Sequence, residues 1–415
     1  MIASARPGRP PREVADILRA HGDAYCARHP VSLEQAAVMR HLVACRTAAL
    51  GGHVDACTQC SFVRISYNSC RDRHCPKCQA TQREQWIEAR LDRVLPVGHF
   101  HVVFTAPEEI NPLMLRNRAA LYNLLFAAAS RTLLELANDP NRLGAQIGFT
   151  AILHTWGQNL LFHPHLHCVV TAGGLSPEGE RWVPTRQDYL LPVKVLGRLF
   201  RGKFLAGLNT LYQEGGLAFA GNTAHLADRR VFAALRDRLY RQDWVVYAKP
   251  SFGGTEQVFR YLGRYSHRVA ISNSRLLSLQ DGIVAFRYKD YRDAGRWKVM
   301  HLAAEEFIRR FLLHVLPKRF VRIRHYGLMA GRNVNGRLRQ ARRLLGEETS
   351  AKEPPLLLLA PTWQDRVLAW TGQDPRLCPC CQGPLIRRPL TAAPTACLAS
   401  ASAAGDAPAP RIDSS

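Results

Sequence analysis

The chain is short of acid. Against 56 Lys and Arg it sets only 33 Asp and Glu, which leaves a formal net charge of +23 and a pI of about 10.0. Such a balance argues against an acid-rich surface and favours a polyanionic partner, nucleic acid first and an anionic membrane surface second. Long apolar runs are also missing. Nothing approaches the roughly 18 residues that cross a bilayer, and no apolar segment follows the basic start MIASARPGRPPR, so a secretory signal is not expected and the cytoplasm is. From about Leu390 onward apolar bulk runs out in favour of Ala, Ser, Pro and Thr, a composition that cannot bury a core and predicts a disordered tail. The rest is ordinary: 415 residues, 47% hydrophobic and 21% charged, are enough for two or three domains with real cores.

The cysteines are clustered in a way that disulfide frameworks rarely are. Five of the twelve lie in CTQCSFVRISYNSCRDRHCPKC, where Cys57-x-x-Cys60 and Cys75-x-x-Cys78 are spaced as the two halves of a structural zinc site. Each CxxC turn offers two thiolates to one ion, and two turns complete a tetrahedron. Cys70 and His74 could substitute for one ligand, and a redox pair is the competing reading. A second cluster, LCPCCQGPL, holds Cys378, Cys380 and Cys381, a CxxC with no obvious second half.

Hydrophobic periodicity divides the chain further. REVADILRAHGDAYCARH and SLEQAAVMRHLVACRTAAL read as helices, the second opened by a Ser32/Gln35 capping box, and WIEARLDRVL as a short helix. FHVVFTAP alternates as a strand, and PLMLRNRAALYNLLFAAASRTLLELAND is helical. IGFTAILHTW and HPHLHCVVTAGGL are two strands joined by a turn near Gly157 to Leu161. Helices are expected in YLLPVKVLGRLFRGKFLAGLNTLYQ, VFAALRDRLYRQ, GTEQVFRYLGRYSHRVA and MHLAAEEFIRRFLLHVL, with hairpin strands around IVAFRYKD. The order predicts an α+β fold with a mostly antiparallel central sheet and flanking helices, preceded by a small helical zinc-binding domain. The expected boundaries are a basic arm 1–12, a zinc-binding domain 13–95, a core domain 96–275, a basic part 276–346, a short helix and Cys-rich segment 347–389, and a tail 390–415.

Two stretches carry chemistry. In HPHLHCVV, strand alternation puts His163, His165 and His167 on one face and Pro164, Leu166 and Cys168 on the other, so imidazoles share one space. In GTEQVFRYLGRYSHR, Tyr261 and Tyr265 lie one helical turn apart, with Arg260, Arg264 and Arg268 in a stripe beside them. Phenols flanked by guanidinium groups suit phosphodiester chemistry, although tyrosines at this spacing also serve as half-buried core. The stretch 317–343 holds nine Arg and Lys and no acid. It is expected to grip phosphates through Arg337, Arg339, Arg342 and Arg343 without reading bases.

Taken in order, CTQC…CRDRHCPKC, GHFHVVFTAP, HPHLH, YLGRYSHR and RIRHYGLMAGR resemble the two-tyrosine rolling-circle transposases of bacterial insertion sequences, which are HUH endonucleases. The resemblance runs from roughly Glu13 to Arg332. It implies an HUH domain, His165 and His167 as ligands of a catalytic Mg²⁺ or Mn²⁺, and Tyr261 and Tyr265 as nucleophiles. It also implies Cys57, Cys60, Cys75 and Cys78 as zinc ligands, and single-stranded or hairpin DNA ends as substrate in a nucleoid-associated protein. Gln158 is the preferred third ligand, with His154 and Gln257 as competitors. A plasmid replication initiator or relaxase would share the HUH site. A non-catalytic zinc-finger DNA-binding protein would account for charge and cysteines alone.

Overall fold

The computed structural model describes residue 10 and the stretches 12–78, 94–186, 189–252, 270–291, 293–346 and 362–391. The expected helices at 86–95 and 254–270 lie outside them apart from Val94, Leu95 and Ala270 at their ends. In chain order the strands are β1 (Gly52–Cys57), β2 (Val63–Tyr67), β3 (His99–Thr105), β4 (Gln146–Trp156), β5 (Phe162–Leu175), β6 (Trp182–Pro184), β7 (Val246–Phe252), β8 (Leu276–Gln280), β9 (Ile283–Asp290), β10 (Arg296–Ala303), β11 (Ile323–Gly327) and β12 (Leu385–Leu390). The α-helices among the described residues are α1 (Val14–Arg28), α2 (Leu33–Ala44), α3 (Asn111–Arg116), α4 (Arg118–Asn138), α5 (Val193–Gln213), α6 (Arg229–Arg241), α7 (Ala304–Leu312), α8 (Arg337–Leu344) and α9 (Trp363–Thr371).

The chain forms two compact units, one from residues 1–43 and 70–374, the other from 44–69 and 375–415. The larger contains the central sheet, antiparallel throughout, in the order β11-β4-β5-β3-β7 with β6 added to the end of β5. Its α+β architecture is the one the alternation of strand and helix predicts.

Each central strand has one face in the main core: Phe100, Val102 and Phe104 of β3, Phe149, Ala151 and Leu153 of β4, and Leu166, Cys168 and Val170 of β5. Apolar side chains of α4 and α5 belong to the same cluster, among them Phe126 and Phe200. Phe104 meets Phe200 edge-on at 5.0 Å, and Phe200 meets Trp244 at 5.2 Å. The opposite sheet face is where the polar side chains of these strands stand.

The single helix expected over 112–139 is split. Asn117 stands between α3 and α4, donates through Nδ2 to the Leu113 and Ala218 carbonyls, and accepts the Ala218 N–H at 2.7 Å, tying the break to a distant loop. The capping box of α2 forms as read, with Ser32 Oγ accepting from Gln35 N and Gln35 Oε1 from Ser32 N. The helix expected from Met300 starts instead at Ala304. Residues 300–303 pair with β9 as the end of β10, because RWKVMHLA alternates with period two and a neighbouring strand satisfies its backbone.

The smaller unit is a three-stranded antiparallel sheet, β12-β1-β2. Sequence periodicity gave no strands for 52–67, yet β1 and β2 form a hairpin there. Asp55, 1% exposed in the middle strand, accepts from Arg387 of β12 at 2.6 and 2.9 Å and from Arg64 of β2 at 2.8 and 3.2 Å. Burial raises its pKa, but the hydrogen bonds from Arg387 and Arg64 outweigh that and hold the carboxyl below its usual range.

Candidate active site and metal centres

The alternation in HPHLH is realised in β5. Leu166 and Cys168 are wholly buried in the core, while His165 and His167 stand on the far face. Antiparallel register sets His154 of β4 directly opposite His165, so its ring lands on that face too. One nitrogen from each of His154, His165 and His167 lies within 4.8 Å of the others. The Nε2 atoms of His165 and His167 are 3.0 Å apart.

Gln158, the preferred third ligand, sits past the end of β4 in the turn 157–161, where its backbone carbonyl accepts from Arg275 at 2.5 Å. His154, one of its competitors for that role, is brought to the pair by strand register. Gln257 lies outside the described residues, as do Tyr261, Tyr265, Arg260, Arg264 and Arg268.

Hydrogen bonds fix the ring orientations. His165 Nδ1 lies 2.7 Å from the His163 carbonyl, which can only accept, so Nδ1 carries the proton and Nε2 keeps its lone pair. On the other side of His167, its Nδ1 is 2.8 Å from Nε2 of His101, and the two rings stack at 5.0 Å. His101 comes from β3, where alternation puts His99, His101 and Val103 opposite the core face. Sequence reading passed over it, although HFH in β3 repeats the spacing of HLH in β5. Burial pushes His165 down to about 3, His101 to about 4 and His167 well below the usual histidine range, so all three are neutral bases at pH 7. Exposed Lys249 of β7 adds a positive charge that lowers His101 further. Neutral imidazoles with converging lone pairs fit a divalent cation, and an all-nitrogen donor set suits Mn²⁺ better than Mg²⁺.

The cysteines regroup. Cys57, Cys60, Cys75 and Cys78 do not form one site among the described residues. Cys57 and Cys60 close with Cys378 and Cys381 in the smaller unit, all four sulfurs within 4.8 Å of one another. The cause is strand pairing: β1 ends at Cys57, opposite Leu385 of β12, which brings the CPCC turn before β12 alongside the CTQC turn. In the larger unit Cys75 and Cys78 are joined by Cys70, whose Sγ is 3.6 Å from that of Cys78. His74, the other substitute considered, is committed elsewhere. Its Nδ1 pairs with Asp72 at 2.9 Å and its Nε2 accepts the Leu316 N–H at 3.2 Å.

The basic segment is divided in the same way. Arg337 donates to Gln146 Oε1 and the Pro177 carbonyl, and Arg342 to the Val94 carbonyl, so both brace the fold. Arg339 and Arg343, four apart on α8, are exposed. No described helix is long and apolar enough to cross a membrane.

The chain has relatives among known proteins. Residues 148–337 match a family model described as "Putative transposase", and residues 17–106 match one described as "Transposase zinc-binding domain". The chain is 52% identical over 377 residues to "Putative transposase y4qJ" of Sinorhizobium fredii, covering 90% of this chain and 94% of that one. It is 29% identical over 356 residues to "Transposase for insertion sequence element IS801" of Pseudomonas savastanoi pv. phaseolicola, covering 82% and 80%. No solved structure matches. The 52% identity over nine-tenths of the chain, together with the two family matches, places this chain in the family of insertion-sequence transposases that carry a transposase zinc-binding domain.

Proposed function

We propose that the chain nicks and rejoins single-stranded DNA at the ends of an insertion sequence by rolling-circle transposition, through a 5′-phosphotyrosine intermediate on Tyr261 or Tyr265. The observation that carries the reading is the convergence of His154, His165 and His167, with His165 Nε2 held unprotonated by the bond from Nδ1 to the His163 carbonyl. A divalent ion there, Mg²⁺ or Mn²⁺, supplies charge neutralisation at the scissile phosphate.

For both Nε2 atoms to offer lone pairs, the proton of His167 must sit on Nδ1, and His101 Nε2 is placed to accept it. Lys249, on the strand beside His101, offers a positive charge to the backbone of an incoming strand. The phenol oxygen attacks phosphorus, the P–O3′ bond breaks, and the phenol proton passes to solvent while the freed 3′-oxygen is protonated. Reversal on a new strand needs no external energy, because the phosphotyrosine bond conserves that of the phosphodiester. Cys70, Cys75 and Cys78 supply thiolates for a structural zinc.

The test is incubation with labelled single-stranded DNA carrying an element end and Mn²⁺. A covalent protein–DNA adduct is expected from the parent, and none from the Tyr261→Phe/Tyr265→Phe double variant, which keeps both rings and loses only the nucleophilic oxygens. An adduct on the double variant would sink the assignment. His165→Ala and His167→Ala should lose cleavage yet keep DNA binding, since the net charge of +23 supplies the affinity.

A further inference from the structure

We infer that Cys57, Cys60, Cys378 and Cys381 form a second, independent tetrathiolate zinc site. Its last two ligands lie beyond both family-matched spans, which end at residues 106 and 337.

Distances come first. A tetrahedral zinc with Zn–S bonds of about 2.3 Å puts its sulfurs roughly 3.8 Å apart. Here Cys57 Sγ is 3.5 Å from Cys381 Sγ, Cys60 Sγ is 3.6 Å from Cys378 Sγ, and all four lie within 4.8 Å. Disulfides would need about 2.05 Å, and all four cysteines are free.

The second observation is independent of those distances: the two CxxC turns are built alike. The Cys57 sulfur receives the backbone N–H groups of Gln59 and Cys60, two and three residues on. That of Cys378 receives those of Cys380 and Cys381, at the same offsets. Cys60 is served by the N–H of Phe62 and Cys381 by that of Gly383, again two residues on in each case. Each turn therefore aims amide dipoles at its sulfurs; they lower Cys57 and Cys378, whereas burial and the neighbouring sulfurs leave Cys60 and Cys381 raised, so a shared cation is what would hold all four as thiolates. Cys378 is wholly buried, and burying a thiolate without a cation would be costly. The third cysteine of the CPCC turn, Cys380, is exposed and outside the group, so it serves as the control.

The two turns also sit on a frame that holds them in register. Asp55, two residues before Cys57, clamps β12 through Arg387, two residues after Leu385. Gly383 lies where a β-carbon would come 2.5 Å from Gln59 Oε1, so the turns are packed backbone against side chain.

The experiment measures zinc in the full-length chain purified without chelator, by elemental analysis alongside titration of free thiols. Cys378→Ser/Cys381→Ser and Cys57→Ser/Cys60→Ser should each lose one equivalent relative to the parent, and the fourfold variant should lose that same one and no more. Cys380→Ser should keep the full zinc content. Cys381→His, which retains a zinc donor, should keep it too and shows that the serine variants fail by losing a ligand. Replacing zinc with Co²⁺ gives a second readout, since thiolate-to-cobalt absorption should fall by one site's worth in the serine variants. Additive loss of two equivalents in the fourfold variant would overturn the shared site. So would full zinc in Cys378→Ser/Cys381→Ser, or zinc-free parent protein with these thiols oxidised.

Discussion

Changing His101 to Phe isolates its role, because phenylalanine preserves the ring that stacks on His167 and deletes the acceptor 2.8 Å from Nδ1. In the variant, the tautomer of His167 with its proton on Nδ1 loses this buried acceptor, at a cost of about 1–3 kcal/mol. The alternative tautomer puts the proton on Nε2, where the metal must bind. Each 1.4 kcal/mol is tenfold in an equilibrium constant, so Mn²⁺ affinity should fall roughly 5- to 150-fold, overlapping the range usual for losing such a supporting bond. Free Mn²⁺ can be followed by electron paramagnetic resonance in a titration of parent and variant. Adduct formation should return when Mn²⁺ is raised in the same proportion, whereas His167→Ala should not be rescued. Unchanged Mn²⁺ affinity in His101→Phe, with an intact circular dichroism spectrum, would refute the idea that His101 sets the His167 tautomer.

Three further outcomes follow from the geometry. His154→Ala should weaken Mn²⁺ binding strongly while Gln158→Ala leaves it unchanged in the same titration, and the reverse result would restore Gln158 as ligand. Asp55→Asn should destabilise the smaller unit by about 2 kcal/mol, less than a fully buried pair costs because Arg64 and Arg387 are each about one-third exposed, read as faster zinc release to a chelator. Because the folded pKa of Asp55 is depressed, its contribution is present above the ordinary carboxylate pKa near 4 and is lost as pH falls below it; the asparagine variant should lack this acid-side dependence. Arg339→Ala/Arg343→Ala should lower the slope of log affinity against log salt by up to about 1.5 on single-stranded DNA, and Arg337→Ala/Arg342→Ala should instead lower thermal stability. An unchanged slope in the first pair would remove α8 from the DNA-binding surface.

The legible part of the site was the part written in local periodicity. Alternation alone separates His165 and His167 from Leu166 and Cys168, and β5 realises it residue for residue. His154 and His101 needed strand partners: which residue of β4 faces His165 depends on hairpin register and on the bulge near Thr155, neither of which has a fixed mark in the sequence. The cysteines show the same limit. A CxxC turn declares that it grips an ion but not which other turn shares it, and the nearest candidate in sequence was not the partner in space. Two of the four basic residues chosen on α8, Arg337 and Arg342, also donate within the fold, because a run of arginines does not say which guanidinium groups meet carbonyls. Helix starts were misjudged where, as at Met300, an apolar stretch satisfies both periods and the adjacent strand decides.

The smaller unit joins residues 324 positions apart, Cys57 to Cys381, and that distance has a consequence in time. A ribosome adding about 5–20 residues per second needs roughly a quarter of a minute to a minute to pass from one half of the sheet to the other. Throughout that interval β1 has β2 on one side and a bare row of amides and carbonyls on the other, with two thiols waiting on a turn. Only a chain translated through Leu390 can cover that edge, so a product of premature termination would display an open strand and a half-built metal knuckle, features that aggregation and proteolysis act on first. For a transposase, completion of the message would thereby be checked before the molecule is durable.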